Sequence, residues 1–213
     1  PKRFCSPPRA AATRTGGAAD PLRPHRREIS VVFLDLRGFT AFAEMSEPEE
    51  VSEVLAAYHD EVGRIIQAHE CTLERFTGDG MMIFFNDPVP VPNAEERAVR
   101  MAEAMRARVR VLAGEWRRRG YDLDLAMGIA KGYATIGAIG FEGRQDYAAI
   151  GSVTNLAFRL CTEAAGDQIL ISQRIHAVVA DLVNAKEIGP LQLKGFHRPV
   201  PAYEIVELKP PSA

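Results

Sequence analysis

The first apolar run of the chain, "EISVVFLDL" at residues 28–36, carries Asp35 at its far end. An uninterrupted stretch of this length bounded by polar residues reads as a buried strand. "SEPEEVSEVLAAYHDEVGRIIQAH" at 46–69 changes the period and predicts an amphipathic helix. Ser46 stands at its N-cap and Glu49 three residues later, the pattern of a capping box with acid in the first turn. "CTLERF" and "MMIFF" are two short strands on either side of "TGDG", a hairpin with a tight glycine turn. Asn93 and Glu96 cap a second long helix running to about Arg119. "LDLAMGIAKG" and "ATIGAIG" predict further strands, "SVTNLAFRLCTEA" a helix, "QILIS" a strand and "QRIHAVVADL" a helix. The end, "LQLKGFHRPVPAYEIVEL", reads as strand, turn, strand, and no internal repeat is present.

The order strand–helix–strand–strand–helix–strand predicts an α+β fold of the ferredoxin-like, split βαβ type, with an antiparallel-rich sheet and helices packed on it. In that arrangement the first two strands run parallel through a right-handed crossover, and the third returns antiparallel between them. The turn after the second strand then lies beside the carboxyl end of the first. Asp79 occupies that turn and Asp35 that strand end, so two residues distant in sequence are expected to be neighbours.

Composition narrows the class without deciding it. Of 213 residues 46% are hydrophobic and 25% charged, and the formal net charge is −2. This is the balance of an ordinary globular protein and argues against one built around nucleic acid or membrane electrostatics. No apolar run is long enough to span a bilayer. Cys5, Cys71 and Cys161 are scattered without a CxxC, which points to a reducing, cytoplasmic setting with Cys71 and Cys161 in the core. Residues 1–27 are rich in Pro, Gly, Ala and Arg and read as a flexible linker or arm, with the folded domain at 28–213. The chain begins "PKRFC" without a methionine, so "LRPHRR" is in position to join a regulatory domain in a longer protein. His25, His59, His69, His176 and His197 show no metal-ligand spacing and read as incidental, and Trp116 as packing.

Two close carboxylates with no lysine near them repel, so a cation is expected between Asp35 and Asp79. Few, hard oxygen ligands suit Mg²⁺ or Mn²⁺, which keep waters and take substrate phosphates. Two such ions under a nucleotide would serve two-metal catalysis. Gly78 and Gly80 let backbone and phosphate approach closely. Read alone, the "DG" of the hairpin is also simply a favoured turn pair.

"VVFLDLRGFT", "RFTGDGMMIFF", "YAAIGSVTNLAFRL" and "LQLKGF" occur in an order and spacing that resemble the catalytic domain of class III adenylate and guanylate cyclases, over residues 29 to about 207. The resemblance implies a homodimer with two shared active sites that turns a nucleoside triphosphate into a cyclic nucleotide and pyrophosphate. It implies that Asp35 and Asp79, with the Leu36 carbonyl, hold two Mg²⁺ or Mn²⁺. It makes Asn155 a positioner of the ribose, Arg159 a clamp on the pentavalent phosphorus and Lys194 a contact of the triphosphate. Asn155 and Arg159 are four apart and so share a helical face. The metal carboxylates of one protomer would meet the Asn/Arg pair of the other.

Base choice departs from the family's pattern. Arg75 stands where adenylate cyclases carry a lysine, and Ala148 where they carry Asp or Thr. Arg75 is donor-only: it can serve adenine N1 or guanine O6 but cannot accept guanine N1–H. Alternation along a strand would turn Glu74 away if Arg75 faces the base. ATP is therefore the expected substrate, with weak base discrimination. The other readings are a guanylate or relaxed-specificity cyclase, a degenerate cyclase-homology domain serving regulation or dimerisation, and a palm-type nucleotidyltransferase. The intact quartet Asp35, Asp79, Asn155 and Arg159 weighs against the second, and the "TNLAFR" and "LKGF" motifs against the third.

Overall fold

A computed structural model describes residues 22–141 and 144–210. Thirteen elements follow in the order β1 (His25–Arg37), α1 (Phe39–Met45), α2 (Pro48–Ala68), β2 (Thr72–Thr77), β3 (Gly80–Phe85), α3 (Ala94–Arg118), β4 (Asp124–Phe141), β5 (Arg144–Ile150), α4 (Ser152–Glu163), β6 (Ile169–Ser172), α5 (Gln173–Val179), β7 (Val183–Leu191) and β8 (Val200–Leu208). The strands form one sheet in the order β2-β3-β1-β4-β6-β8-β7, with β5 folded back on β4. β3 pairs antiparallel with both β1 and β2, so β1 and β2 run parallel around it, as the split βαβ expectation requires. No helix among the described residues is long and apolar enough to cross a membrane.

Strand alternation divides the core. Val32, Leu34 and Leu36 of β1 pack with α2, α3 and α5, through Val54, Tyr58, Met101, Met105 and Ile175 among others. Ile29 and Val31 face the opposite way and pack with Met82, Phe84 and, on α4, Val153 and Ala157. The short α1, through Phe42, joins these three helices on one face, and α4 lies on the other. Trp116 is buried, and so are the free thiols Cys71 and Cys161, whose pKa values burial pushes up to about 12. Cys5 lies outside the described residues.

Several boundaries differ from the sequence reading. Ser46 ends the short helix α1 instead of starting the long one; Glu47 is the N-cap of α2, and the reciprocal box forms with Glu50. The pattern is offset by one because Pro48 takes the first helical position, where its missing N–H costs nothing. Asn93 precedes α3 in a left-handed conformation and makes no side-chain cap. The two strands expected at 123–140 are one 18-residue strand, β4. β7 begins at Val183, ahead of "LQLKGF", so Lys194 sits in a loop and not on a strand. The expected arm-to-domain boundary at 27/28 falls inside β1, whose register with β4 already holds at His25↔Ile136. His25 and Arg27 donate to the buried Asp87 carboxylate at 2.8 and 3.2 Å, and Tyr147 donates to its other oxygen.

α4 sits unusually close to the sheet. A Cβ on Gly128 of β4 would meet the Cys161 nitrogen at 2.2 Å and the Ala157 carbonyl at 2.3 Å, both backbone atoms of α4. Gly128→Ala is expected to destabilise the domain by about 3 kcal/mol or more, because backbone cannot step aside as a side chain can. Gly114→Ala on α3, where a Cβ meets nothing within 4 Å, should be neutral or stabilising by up to about 1 kcal/mol. Denaturant midpoints of the two variants check the contrast.

Candidate active site

β1 delivers Asp35 on the sheet face that α4 covers, opposite Ala126 in the antiparallel register. The β2–β3 turn delivers Asp79 to the same place. Gly78 takes φ +68, a left-handed conformation that suits glycine, and its carbonyl accepts a 3.0 Å hydrogen bond from His59 of α2. The Leu36 backbone N–H donates to Asp79 Oδ2 at 3.1 Å. The turn is thus held from two sides, and the expected juxtaposition of Asp35, Leu36 and Asp79 is present. His59, read as incidental from the sequence, is part of the support.

The two carboxyl groups lie within hydrogen-bonding reach of each other. Burial first, then the bond to Asp79 and its charge, raise the Asp35 pKa from 3.8 to about 7; the Arg37 guanidinium opposes the rise. Arg37 Nη1 reaches Asp35 Oδ2 at 3.2 Å, so a cation is nearby after all, supplied by arginine two residues on. Tyr58 of α2 lies beneath, fully buried, its hydroxyl without a partner among the described residues. Burial, followed by the charges of Asp79 and Asp35, raises its pKa.

These groups fit a divalent cation. Two carboxylates and the Leu36 carbonyl are hard oxygen donors, Arg37, the Leu36 N–H and a bond between the carboxyl groups offset only part of the repulsion, and a buried hydroxyl stands near them unpaired. No third His, Cys, Asp or Glu joins them among the described residues. That suits an ion which keeps waters and takes substrate oxygens, not one that needs a closed protein cage.

The remaining candidates occupy two other places. Asn155 is exposed and Arg159 half-buried on α4, where Arg159 lies 5.1 Å from the ring of Phe158 and makes no ion pair among the described residues. Phe158 in turn packs edge-on against Phe33 of β1 at 5.4 Å. Lys194 is exposed in its loop, beside α4, because Leu193 is buried in a cluster with Leu160 and Ala164. Arg75 on β2 is near β5, the strand of Ala148, and feels the charge of Asp146.

One expectation fails here. The ladder between β2 and β3 slips between Leu73 and Arg75, a bulge at Glu74. Strict alternation is lost, and Arg75 Nε and Nη2 donate to Glu74 Oε2 and Oε1 at 2.6 and 2.9 Å. The Glu74 side chain is only 3% exposed and that of Arg75 57%. The bond and the charge of Glu74 hold the Arg75 pKa above its ordinary value.

A cavity of about 570 Å³ at the start of α4 and α5, lined by Arg26, Lys131, Tyr133, Arg174 and Phe196 among others, contains none of the candidate residues. For the metal-free protein the Asp35 shift has a sign that can be checked. Between about pH 4 and 7 the folded state binds a proton at Asp35 that the unfolded state has lost, so stability falls as pH rises through that window. Thermal melts in chelator from pH 5 to 8 should show this fall in the wild type and a flatter profile in Asp35→Asn.

Comparison with known proteins gives the arrangement its family. Residues 23–207 match the model of the adenylate and guanylate cyclase catalytic domain. The chain is similar to adenylate cyclase 1 of Rhizobium meliloti, 31% identical over 184 residues that make up 85% of this chain and 28% of that protein; it spans less than a third of that curated relative. Among solved structures it is similar to the adenylyl cyclase CyaB from P. aeruginosa, with TM-score 0.85 and 35% identity over 90% of this chain and 100% of the other. The guanylyl cyclase Cya2 follows with TM-score 0.79 and 31% identity over 88% of this chain and 96% of the other. The chain belongs to the class III adenylate and guanylate cyclases, of which it is a catalytic domain.

Proposed function

We propose that the domain converts ATP to 3′,5′-cyclic AMP and pyrophosphate in two active sites shared across a homodimer, within a longer chain whose preceding segment carries regulation. The observation that carries this reading is the enforced proximity of Asp35 and Asp79, whose repulsion has little structural purpose without a cation and a polyphosphate to hold. Divalent cations, Mg²⁺ or Mn²⁺, would lower the pKa of the ribose 3′-hydroxyl and take up charge on the departing pyrophosphate.

The protein's own groups do the rest by position and charge. Asn155 orients the ribose so that the 3′-oxygen stands in line behind the α-phosphorus. That oxygen forms the new P–O bond as the bond to the β-phosphate oxygen breaks, and its proton passes to water. Arg159, always charged and forked to match phosphate oxygens, meets the charge that develops at the phosphorus. Lys194 takes the outer phosphates. Arg75 donates to adenine N1, and Ala148 leaves the 6-amino group without a protein partner.

Asp79→Ala and Arg159→Ala are each expected to lose about 100- to 1,000-fold in kcat. Mixed after unfolding and refolding together, they should regain about a quarter of wild-type activity, because half of the dimers hold one intact site of two. Absence of recovery in mixtures shown to contain heterodimers would sink the shared-site reading. For the base, kcat/KM for ATP should exceed that for GTP by about tenfold, the scale of one unpaired buried group, and Arg75→Lys should keep the preference. A wild type that favours GTP overturns the adenine assignment.

A further inference from the structure

We infer that Arg37 is a positioning residue that locks the helix carrying Asn155 and Arg159 to the strand end carrying Asp35, and thereby ties the two active sites of a dimer to each other; the second half of this rests on the shared-site reading above. Arg37 ends β1, and its side chain is 30% exposed. Its guanidinium makes three bonds with three different nitrogens. Nε donates to the Ala164 carbonyl at 2.8 Å, Nη2 to the Cys161 carbonyl and Nη1 to Asp35 Oδ2 at 3.2 Å. Ala164 is the C-cap of α4 and Cys161 lies in its last turn.

The last carbonyls of a helix have no partner within it and carry the negative end of its dipole. α4 supplies no basic residue of its own in its last turn. Arg37 does so from another element, and its planar fork, donating from three nitrogens, spans two carbonyls and a carboxylate at once. The hold is directional. Gly128 fixes how close α4 lies to the sheet, while Arg37 fixes where its C-terminal end stands along β1. Arg159 lies two residues before Cys161, so a small slide of this end moves its guanidinium directly. An offset of this kind costs catalysis about 100-fold in unfavourable cases.

In a dimer with shared sites, Asp35 of a protomer serves one active site, and Asn155 and Arg159 of the same protomer serve the other. Arg37 touches both halves. Its effect should therefore depend on which half of its protomer is in use, and the complementing pair provides that choice. In the mixed dimer the Arg159→Ala chain supplies Asp35 and Asp79, and the Asp79→Ala chain supplies Asn155 and Arg159.

The test adds Arg37→Ala to one chain or the other. Placed on the chain that supplies α4, it should lower kcat by about 10- to 100-fold with KM for Mn·ATP changed less than about threefold, the signature of a lost transition-state alignment. Placed on the chain that supplies the carboxylates, where it loses only the bond to Asp35, it should lower kcat at least about threefold less than on the chain that supplies α4. Equal losses in both placements, or a loss only on the carboxylate chain, overturn the inference while leaving the shared site standing. Arg37→Lys, a point charge without the fork, should recover only part of the loss. A second measurement needs neither metal nor activity: in the metal-free single variant Arg37→Ala, amides in the last turn of α4 should exchange about tenfold faster while those of α2 and α3 keep their protection. Unchanged exchange in α4 refutes the lock even if the mixed dimers prove inactive.

Discussion

The backbone forces two acidic side chains together, and the rest of the site compensates for that. Leu36 N–H draws Asp79 inward, and His59 fixes the carbonyl of the preceding glycine, so the turn cannot relax to separate the carboxylates. Burial first, then the bond to Asp79 and its charge, push the Asp35 pKa up to about 7. Arg37 relieves part of the repulsion, but its fork is divided between Asp35 and the end of α4. A cation bound between the acids and a polyphosphate would relieve the rest. On the function proposed above, part of the repulsion would be recovered when the substrate complex forms, and the pair would serve binding as well as ligation.

The placement of α4 follows the same economy of means. One face of the sheet is sealed by α1, α2, α3 and α5, whereas α4 covers the other with its outer side open. A helix that offers Asn155 and Arg159 outward has no packing on that side to hold it. Its position must come from beneath and from its ends. The backbone contact at Gly128 supplies the first and Arg37 the second. Phe158, 44% exposed and resting on Phe33, adds apolar surface next to these polar groups.

What was legible in the sequence was what local pattern encodes. The buried run ending at Asp35, the glycine turn at Asp79 and the shared face of Asn155 and Arg159 all depend on spacing, and the order of elements then fixes the split βαβ. The misses are long-range or one-residue effects. His59 reads as incidental because its partner is a backbone carbonyl 19 residues away, and Arg37, part of the first motif, shows no role of its own because its backbone partners lie 124 and 127 residues on. No composition signal announces a side chain that bonds to backbone. The arginine-rich stretch before Glu28 resembles an arm until the buried Asp87, far along the chain, is seen to absorb His25 and Arg27. β7, "VNAKEIGPL", hides because its exposure and its Gly–Pro pair dilute the strand pattern.

The bulge at Glu74 changes why the base pocket should favour adenine. If strand alternation held, Glu74 would simply face away. Instead it lies beside Arg75, nearly buried, and spends both of its oxygens on two N–H groups of the guanidinium. To accept from guanine N1–H and the 2-amino group, Glu74 would have to release Arg75, leaving a cation without its partner and exchanging bonds from an ionised donor for bonds from neutral ones. Adenine asks for nothing of the kind, since the outward N–H groups of Arg75 can reach N1 while the pair stays closed. On the ATP reading proposed above, selectivity would then come from the cost of opening an ion pair and not from a contact that recognises adenine. With Ala148 contributing no hydrogen bond at the 6-position, discrimination of this origin is shallow, and it responds to anything that loosens β2.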